Sequence, residues 1–226
     1  MRFRSKRFKK MNPPSEGKTL PLADAVDQIK DWGNTKFDQS VECVIQLGID
    51  TRHAEQAVRG AISFPHGIGK MLRVIAFCEG EDAEAAQAAG ASEVGGDELV
   101  EKIQGGWLDF DVAVAHPRMM SKVGKLGRIL GPQGKMPSPK GGTVTANIGA
   151  AVTDYAAGKV EFRNDSGGNV HALVGKVSFD PAKLVDNIDA FIDMIKRMKP
   201  TAAKGAYIKK VCICATMSPA VQVEIT

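Results

Sequence analysis

Cysteine is scarce in this sequence: Cys43, Cys78, Cys212 and Cys214 are all there is in 226 residues, and no two of them form a C-x-x-C pair. That spacing excludes zinc ribbons and thioredoxin-like dithiol sites. Reduced, buried thiols are expected instead. Cys212 and Cys214, two apart in "YIKKVCICATM", fall on one face of a strand and read as core rather than as metal ligands. Histidine is as sparse, and His53, His66, His116 and His171 make no H-E-x-x-H; nor is there a G-x-S-x-G elbow. No catalytic residue, metal site or cofactor is therefore expected. Long apolar runs are also missing, none reaching the roughly 18 residues of a membrane span. The first ten residues, "MRFRSKRFKK", have none of the apolar character of a secretory signal. The expectation is a cytoplasmic chain with no membrane partner.

With 43% hydrophobic and 25% charged residues, the chain has enough apolar side chain to bury one or two cores. From about residue 71 short apolar runs alternate with helical patterns. "MLRVIAFC" and "FDVAVAH" read as strands covered on both faces. "EDAEAAQAAG" and "DELVEKIQGG" read as helices that open on acids and stop at glycine. In "NIGAAVTDYAAGK", Ile148, Ala151, Val152 and Tyr155 share a helical face that Gly158 ends.

The flanks follow another rhythm. "SVECVIQLG" sets Val41, Cys43, Ile45 and Leu47 against Glu42, Val44, Gln46 and Gly48, the period of two of a sheet with one open face. "KVEFRND", "NVHALVGKVSF" and "AYIKKVCICATM" supply further strands. Asp180 and Pro181 start a helix whose apolar stripe is Leu184, Ile188, Phe191, Ile192 and Ile195. The fold class is α/β and α+β in two domains. A discontinuous α+β domain, residues 1–67 and 159–226, carries an inserted Rossmann-like α/β domain, 68–158.

Charge divides the same way. Residues 68–158 hold 9 basic and 11 acidic side chains, while the flanks hold 21 and 15. A basic surplus in one domain points to a polyanionic partner there, although many solvated surfaces match it. The stretch "RFRSKRFKK" has six basic residues in nine. It reads either as a solvated tail or as an arm lying along phosphates, with Phe3 and Phe8 interleaved.

One loop, "KLGRILGPQGKMPSPKGG" (125–142), has five glycines, three prolines and no acid. It is not a Walker loop: Met136, not serine or threonine, follows Gly134-Lys135, and Ile129 stands where the first glycine belongs. Two readings stay open, an ordinary surface turn or a stiffened surface that offers Lys125, Arg128, Lys135 and Lys140 to RNA or to the other domain.

"GKLGRILGPQGKMPSPKGGTVT" resembles the signature of the first large-subunit ribosomal protein, the L-one (universal uL-one) family. The likeness extends in order through "KFDQSVECVIQLGID", "RGAISFPHGIGKMLRV", "VEKIQGGWLDFDVAVA", "GKVEFRND", "VGKVSF" and "AAKGAYIKKV". The resemblance implies a non-enzymatic protein of the cytoplasmic large ribosomal subunit that needs no cofactor and is monomeric when free of the ribosome. Its first domain would grip the rRNA of the mobile stalk, the stalk would swing to guide deacylated tRNA from the exit site, and the protein would repress its own mRNA by binding a mimic of that rRNA there. The rRNA contacts it implies are Lys36, Phe37, Ser40, Glu42, Arg163, Asp165, His171, Lys176, Ser178, Thr216, Met217 and Ser218. A hinge would lie at Pro65, His66, Gly67, Gly69 and Gly158. The family has T-M-G-P where Ser218 stands, so a backbone needing positive φ there would be strained. "KMPSPKGG" departs as well, lacking the usual Leu before Met-Pro and Asn after it. The rival class is a nucleotide-using enzyme built on the central domain.

Overall fold

The computed structural model describes residues 5–11, 18–33 and 35–224. Among them the chain divides into two compact units, 1–69 with 162–226, and 70–161. The divisions thus fall two to three residues beyond those expected from the glycines. Arg2, Phe3 and Arg4 of the expected basic arm lie outside the described residues.

The discontinuous unit is built on a five-stranded sheet in the order β1-β10-β9-β2-β8. Its members are β1 (Thr19–Leu20), β2 (Ser40–Leu47), β8 (Asn169–Lys176), β9 (Ile208–Ala215) and β10 (Val221–Val223). β2 is antiparallel to both its neighbours, β8 and β9, and β9 is antiparallel to β10; the short β1 runs parallel to β10. Helices α2 (Leu22–Asp31) and α8 (Pro181–Arg197) pack together and against the sheet. Val41, Cys43, Ile45 and Leu47 are buried, as the alternation requires, and so is the whole expected stripe of α8. Each such side chain contributes roughly 1.5–3 kcal/mol. Asp180 occupies the N-cap position of α8 but does not cap with its side chain. Its carboxylate pairs with Lys183 at 3.2 Å instead.

The same unit contains a short helix, α1 (Lys6–Lys10), and strand β3 (Arg59–Ile62), which forms a two-stranded sheet with β7 (Val160–Arg163). After β3 the chain is fastened down. Asn187, fully buried on α8, donates to Gly67 O at 3.0 Å and to Val174 O at 2.8 Å and accepts from His66 N at 3.2 Å. His66 Nε2 stands 2.9 Å from Asp186. His66 and Gly67 are thereby bonded to α8 of this unit.

The inserted unit has a parallel sheet in the order β5-β4-β6. Its strands are β4 (Val74–Phe77), β5 (Glu93–Gly95) and β6 (Val112–Ala115), and Val144 adds a parallel bridge to Ala115. All four residues of β4 are buried. Val74 and Ala76 face α3 (Glu81–Ala88) and α7 (Ile148–Ala156). Ile75 and Phe77 face α4 (Asp97–Gln104) and the short helical turns α5 (Met120–Val123) and α6 (Gly127–Leu130). Gly158 lies inside this unit, two residues past the end of α7, with φ of 105° and its N–H on Tyr155 O. It terminates a helix, in the conformation that favours glycine.

The proline-rich loop is tied to this unit from within. Lys135 donates to Leu108 O at 3.0 Å and Phe110 O at 2.7 Å and lies over the Phe110 ring. Tyr155 donates to Gly141 O at 2.6 Å, and Thr143 bonds reciprocally with the Ser138 backbone. Lys135 is thus a clamp on its own loop and does not project; Lys125, Arg128 and Lys140 remain exposed.

Candidate RNA interface

Period-two alternation sends one set of β2 side chains to the core and the other set to the opposite face. On that opposite face Glu42 lies between Leu173 and Cys214, Val44 between His171 and Cys212, and Gln46 between Asn169 and Lys210. Glu42, Gln46, His171 and Lys210 are exposed; Val44, Leu173, Cys212 and Cys214 are half-buried. The two cysteines do share a face, but it is this open one and not the core expected of them. Of this sheet's three cysteines, Cys43 is the one that points inward. Burial raises the pKa of the Cys214 thiol, and Glu42 adds to the rise. Both groups therefore favour a neutral thiol here.

A β-bulge shapes one end of the face. Val41 pairs with Gly175 but Glu42 pairs with Leu173, so β8 carries one extra residue. The insertion shifts the parity of β8: His171 and Leu173 lie on the open side, Val174 and Gly175 are buried, and Lys176 returns to the open side opposite Ser40.

There Lys176 Nζ donates to Ser40 Oγ at 2.9 Å. Ser40 N donates to Thr216 Oγ1 at 3.2 Å, while Thr216 N donates to Ser40 O at 3.0 Å. One position on, Asp38 accepts from Ser178 N at 3.2 Å and from Ser178 Oγ at 2.8 Å, and Val177 N donates to Gln39 O at 2.9 Å. Three chain segments, 35–40, 176–178 and 215–218, are thereby stitched into a single corner. From it Phe37 and Met217 stand out, 51% and 70% exposed. Phe37 is not a core residue, the bland alternative for an aromatic at that place.

The turn at 215–218 answers the question posed by Ser218. The positive φ, 65°, belongs to Met217. Ser218 N donates to Ala215 O at 2.9 Å, and Ser218 Oγ accepts from Ala215 N at 2.8 Å. Serine closes the turn with its hydroxyl and carries no strain of its own.

The remaining residues are spread along the sheet. Lys36 is exposed in the corner loop, and Glu42 follows Ser40 on the open face with no hydrogen bond or ion pair among the described residues. His171 lies midway. Arg163 and Asp165 lie beside the start of β8, the end away from Lys176: Asn164 between them bridges to Val170, and Asp165 N donates to Asn169 O at 2.8 Å. Asp165 builds the turn there. Its carboxylate accepts from Asn169 Nδ2 at 3.0 Å, Asn169 N at 2.7 Å and Gly167 N at 2.8 Å. These bonds, those from Asn169 first, hold it below the usual carboxylate range. Sequence reasoning missed Asp38, whose two bonds to Ser178 close the corner; its place between Phe37 and Ser40 was the available signal. It missed Asn187 too, a polar residue three positions after Leu184 on an otherwise apolar stripe.

The corner therefore offers fixed hydroxyls, one committed lysine, a solvent-facing aromatic ring and a thioether beside an open strand face. It can stack, pack and exchange hydrogen bonds with ribose hydroxyls or phosphate oxygens. Among the described residues no group of three potential metal ligands comes together.

Comparison with known proteins covers most of the chain. The model of the ribosomal protein L1p/L10e family matches residues 29–219. The large ribosomal subunit protein uL1 of Thermobifida fusca (strain YX) is 54% identical over 202 residues, 89% of this chain and 86% of that protein. Its namesake in Salinispora arenicola (strain CNS-205) is also 54% identical over 202 residues, covering 89% and 85%. With the family model spanning both units and relatives this similar along most of their length, the chain belongs to the ribosomal protein L1p/L10e family.

Proposed function

We propose that this protein, a structural and non-enzymatic component of the large ribosomal subunit, holds the rRNA of the mobile stalk against the open face of its antiparallel sheet. The observation that carries this reading is the stitched corner, in which Ser40, Lys176, Ser178 and Thr216 are fixed by one another while Phe37 and Met217 stay exposed. A surface organised before binding loses little side-chain freedom when RNA arrives. Glu42, exposed and unpaired among the described residues, is an acceptor for ribose 2′-hydroxyls, which distinguish RNA from DNA. The inserted unit would swing relative to this face about the two crossings near Gly69 and Phe162. That motion would guide deacylated tRNA out of the exit site. The same face would bind a mimic of the rRNA in the protein's own mRNA and repress its translation, and the free protein would be a monomer. The nucleotide-using alternative is weakened by Lys135, whose ammonium is already held by two carbonyls.

Titration with a stalk-rRNA fragment tests the reading. Thr216→Val or Met217→Ala should weaken binding by about 1–3 kcal/mol, the range of a lost polar or packing contact. Unchanged affinity in both variants would remove the site from this corner. Tight, magnesium-dependent binding of ATP or GTP by the inserted unit would favour the alternative.

A further inference from the structure

Helix α1 lies at the corner and takes no part in the residue set considered so far. Five residues are too few for a helix stable by itself, and Lys6 and Arg7 in its first turn oppose the helix dipole. Ser5 Oγ caps it by accepting from Phe8 N at 3.2 Å, and Met11, just past its end, is buried. A contact to the corner gives its position. Arg7 Nη1 stands 3.9 Å from Met217 Sδ, the side chain that projects from the corner.

Lys6, Lys9 and Lys10 fall at i, i+3 and i+4, so they share one side of the helix. All three are exposed, and none forms an ion pair among the described residues. Of the corner's own cations Lys36 is exposed while Lys176 is held on Ser40, and Asp38 and Glu42 are acidic. A polyanion seated there meets Lys36 and then the three lysines of α1.

We propose that α1 is a second contact area for the same RNA, on which Lys6, Lys9 and Lys10 take phosphodiester oxygens of the strand leaving the corner while Arg7 steadies Met217. The occupant is nucleic-acid backbone, recognised by charge and spacing and not by base sequence. This rests on the reading of the corner as the rRNA site, and the experiment separates the two.

The full chain and its Lys6→Gln/Lys9→Gln/Lys10→Gln variant are titrated with the stalk-rRNA fragment at several salt concentrations, alongside Thr216→Val. Glutamine keeps helix propensity close to that of lysine. Each lost phosphate contact should reduce the slope of log K against log salt by roughly 0.7–0.9. The triple variant should therefore lose about two units of slope and bind at least about tenfold more weakly at low salt, while Thr216→Val weakens binding at unchanged slope. A triple variant with the parent slope overturns the inference, even if its affinity falls, because α1 would then act by packing alone. If that result accompanies a weakened Thr216→Val, the corner stands and only α1 is excluded. A wild-type chain that ignores the fragment removes both.

Discussion

The two sheets of this molecule solve opposite problems with similar apolar residues. In the inserted unit a parallel sheet is covered on both sides, so β4 and β6 have nothing to present but their ends. In the discontinuous unit a mostly antiparallel sheet is covered by helices on one side, and the other side keeps Glu42, Gln46, His171 and Lys210 in solvent. Parallel strands need crossover helices, which occupy the faces; antiparallel strands joined by turns do not. Connectivity thus decides which sheet can serve as a binding platform. The basic surplus lies in the unit with the free face.

Charged substitutions on each sheet sharpen that contrast most. Val114→Asp puts a carboxylate into a fully buried position and should cost more than about 4 kcal/mol, enough to unfold the inserted unit. Val44→Glu, half-buried on the open face, should change stability by about 1 kcal/mol or less yet reduce affinity for the stalk fragment at least about tenfold. Thermal unfolding and RNA titration check both, and the contrast breaks if Val44→Glu either unfolds the protein or leaves binding intact. A smaller loss is expected from Asn187→Leu. It strips partners from His66 N, Gly67 O and Val174 O and should destabilise by about 2–4 kcal/mol in denaturant titration, since orphaned buried polar groups cost roughly 1–3 kcal/mol each.

The thiols test the same division without altering the fold. Alkylation followed by mass spectrometry should modify Cys212 and Cys214, slowly because burial raises the pKa of both thiols, and bound RNA should slow them further. Buried Cys43 and Cys78 should stay unmodified with or without RNA. Modification of the buried pair ahead of Cys212 and Cys214 would contradict the assigned faces. The smallest effect concerns acid. Because its folded pKa lies below the ordinary 3.8, Asp165 contributes stability that is present above that value and lost as pH falls through the lowered one. Asp165→Asn should accordingly flatten the drop in melting temperature between about pH 5 and pH 2.

How much of this was legible in the sequence depended on how local each signal was. The alternation in β2 and the stripes of α7 and α8 were readable because periodicity reports burial directly. The order β1-β10-β9-β2-β8 was not, because pairing between the chain's distant ends leaves no local trace. α2 and the short β1, β5 and β10 went unread for want of length or contrast. In the candidate site, Phe37, Ser40 and Thr216 came from motif resemblance, whereas their mutual bonds needed coordinates. Gly67 and Gly158 were chosen as hinge residues for their conformational freedom. Each uses that freedom inside a unit, Gly67 in a clamped turn and Gly158 at a helix end.

The extra residue in β8 makes the corner depend on where the bulge sits as well as on its side chains. If the strand paired evenly past Glu42 with every residue kept, Lys176 would fall opposite Gln39 and its ammonium would turn inward, where a hydrocarbon should be. The same residues would then be present and the contact between Lys176 and Ser40 lost, so it is the irregularity of the pairing, and not composition, that hands this face its lysine.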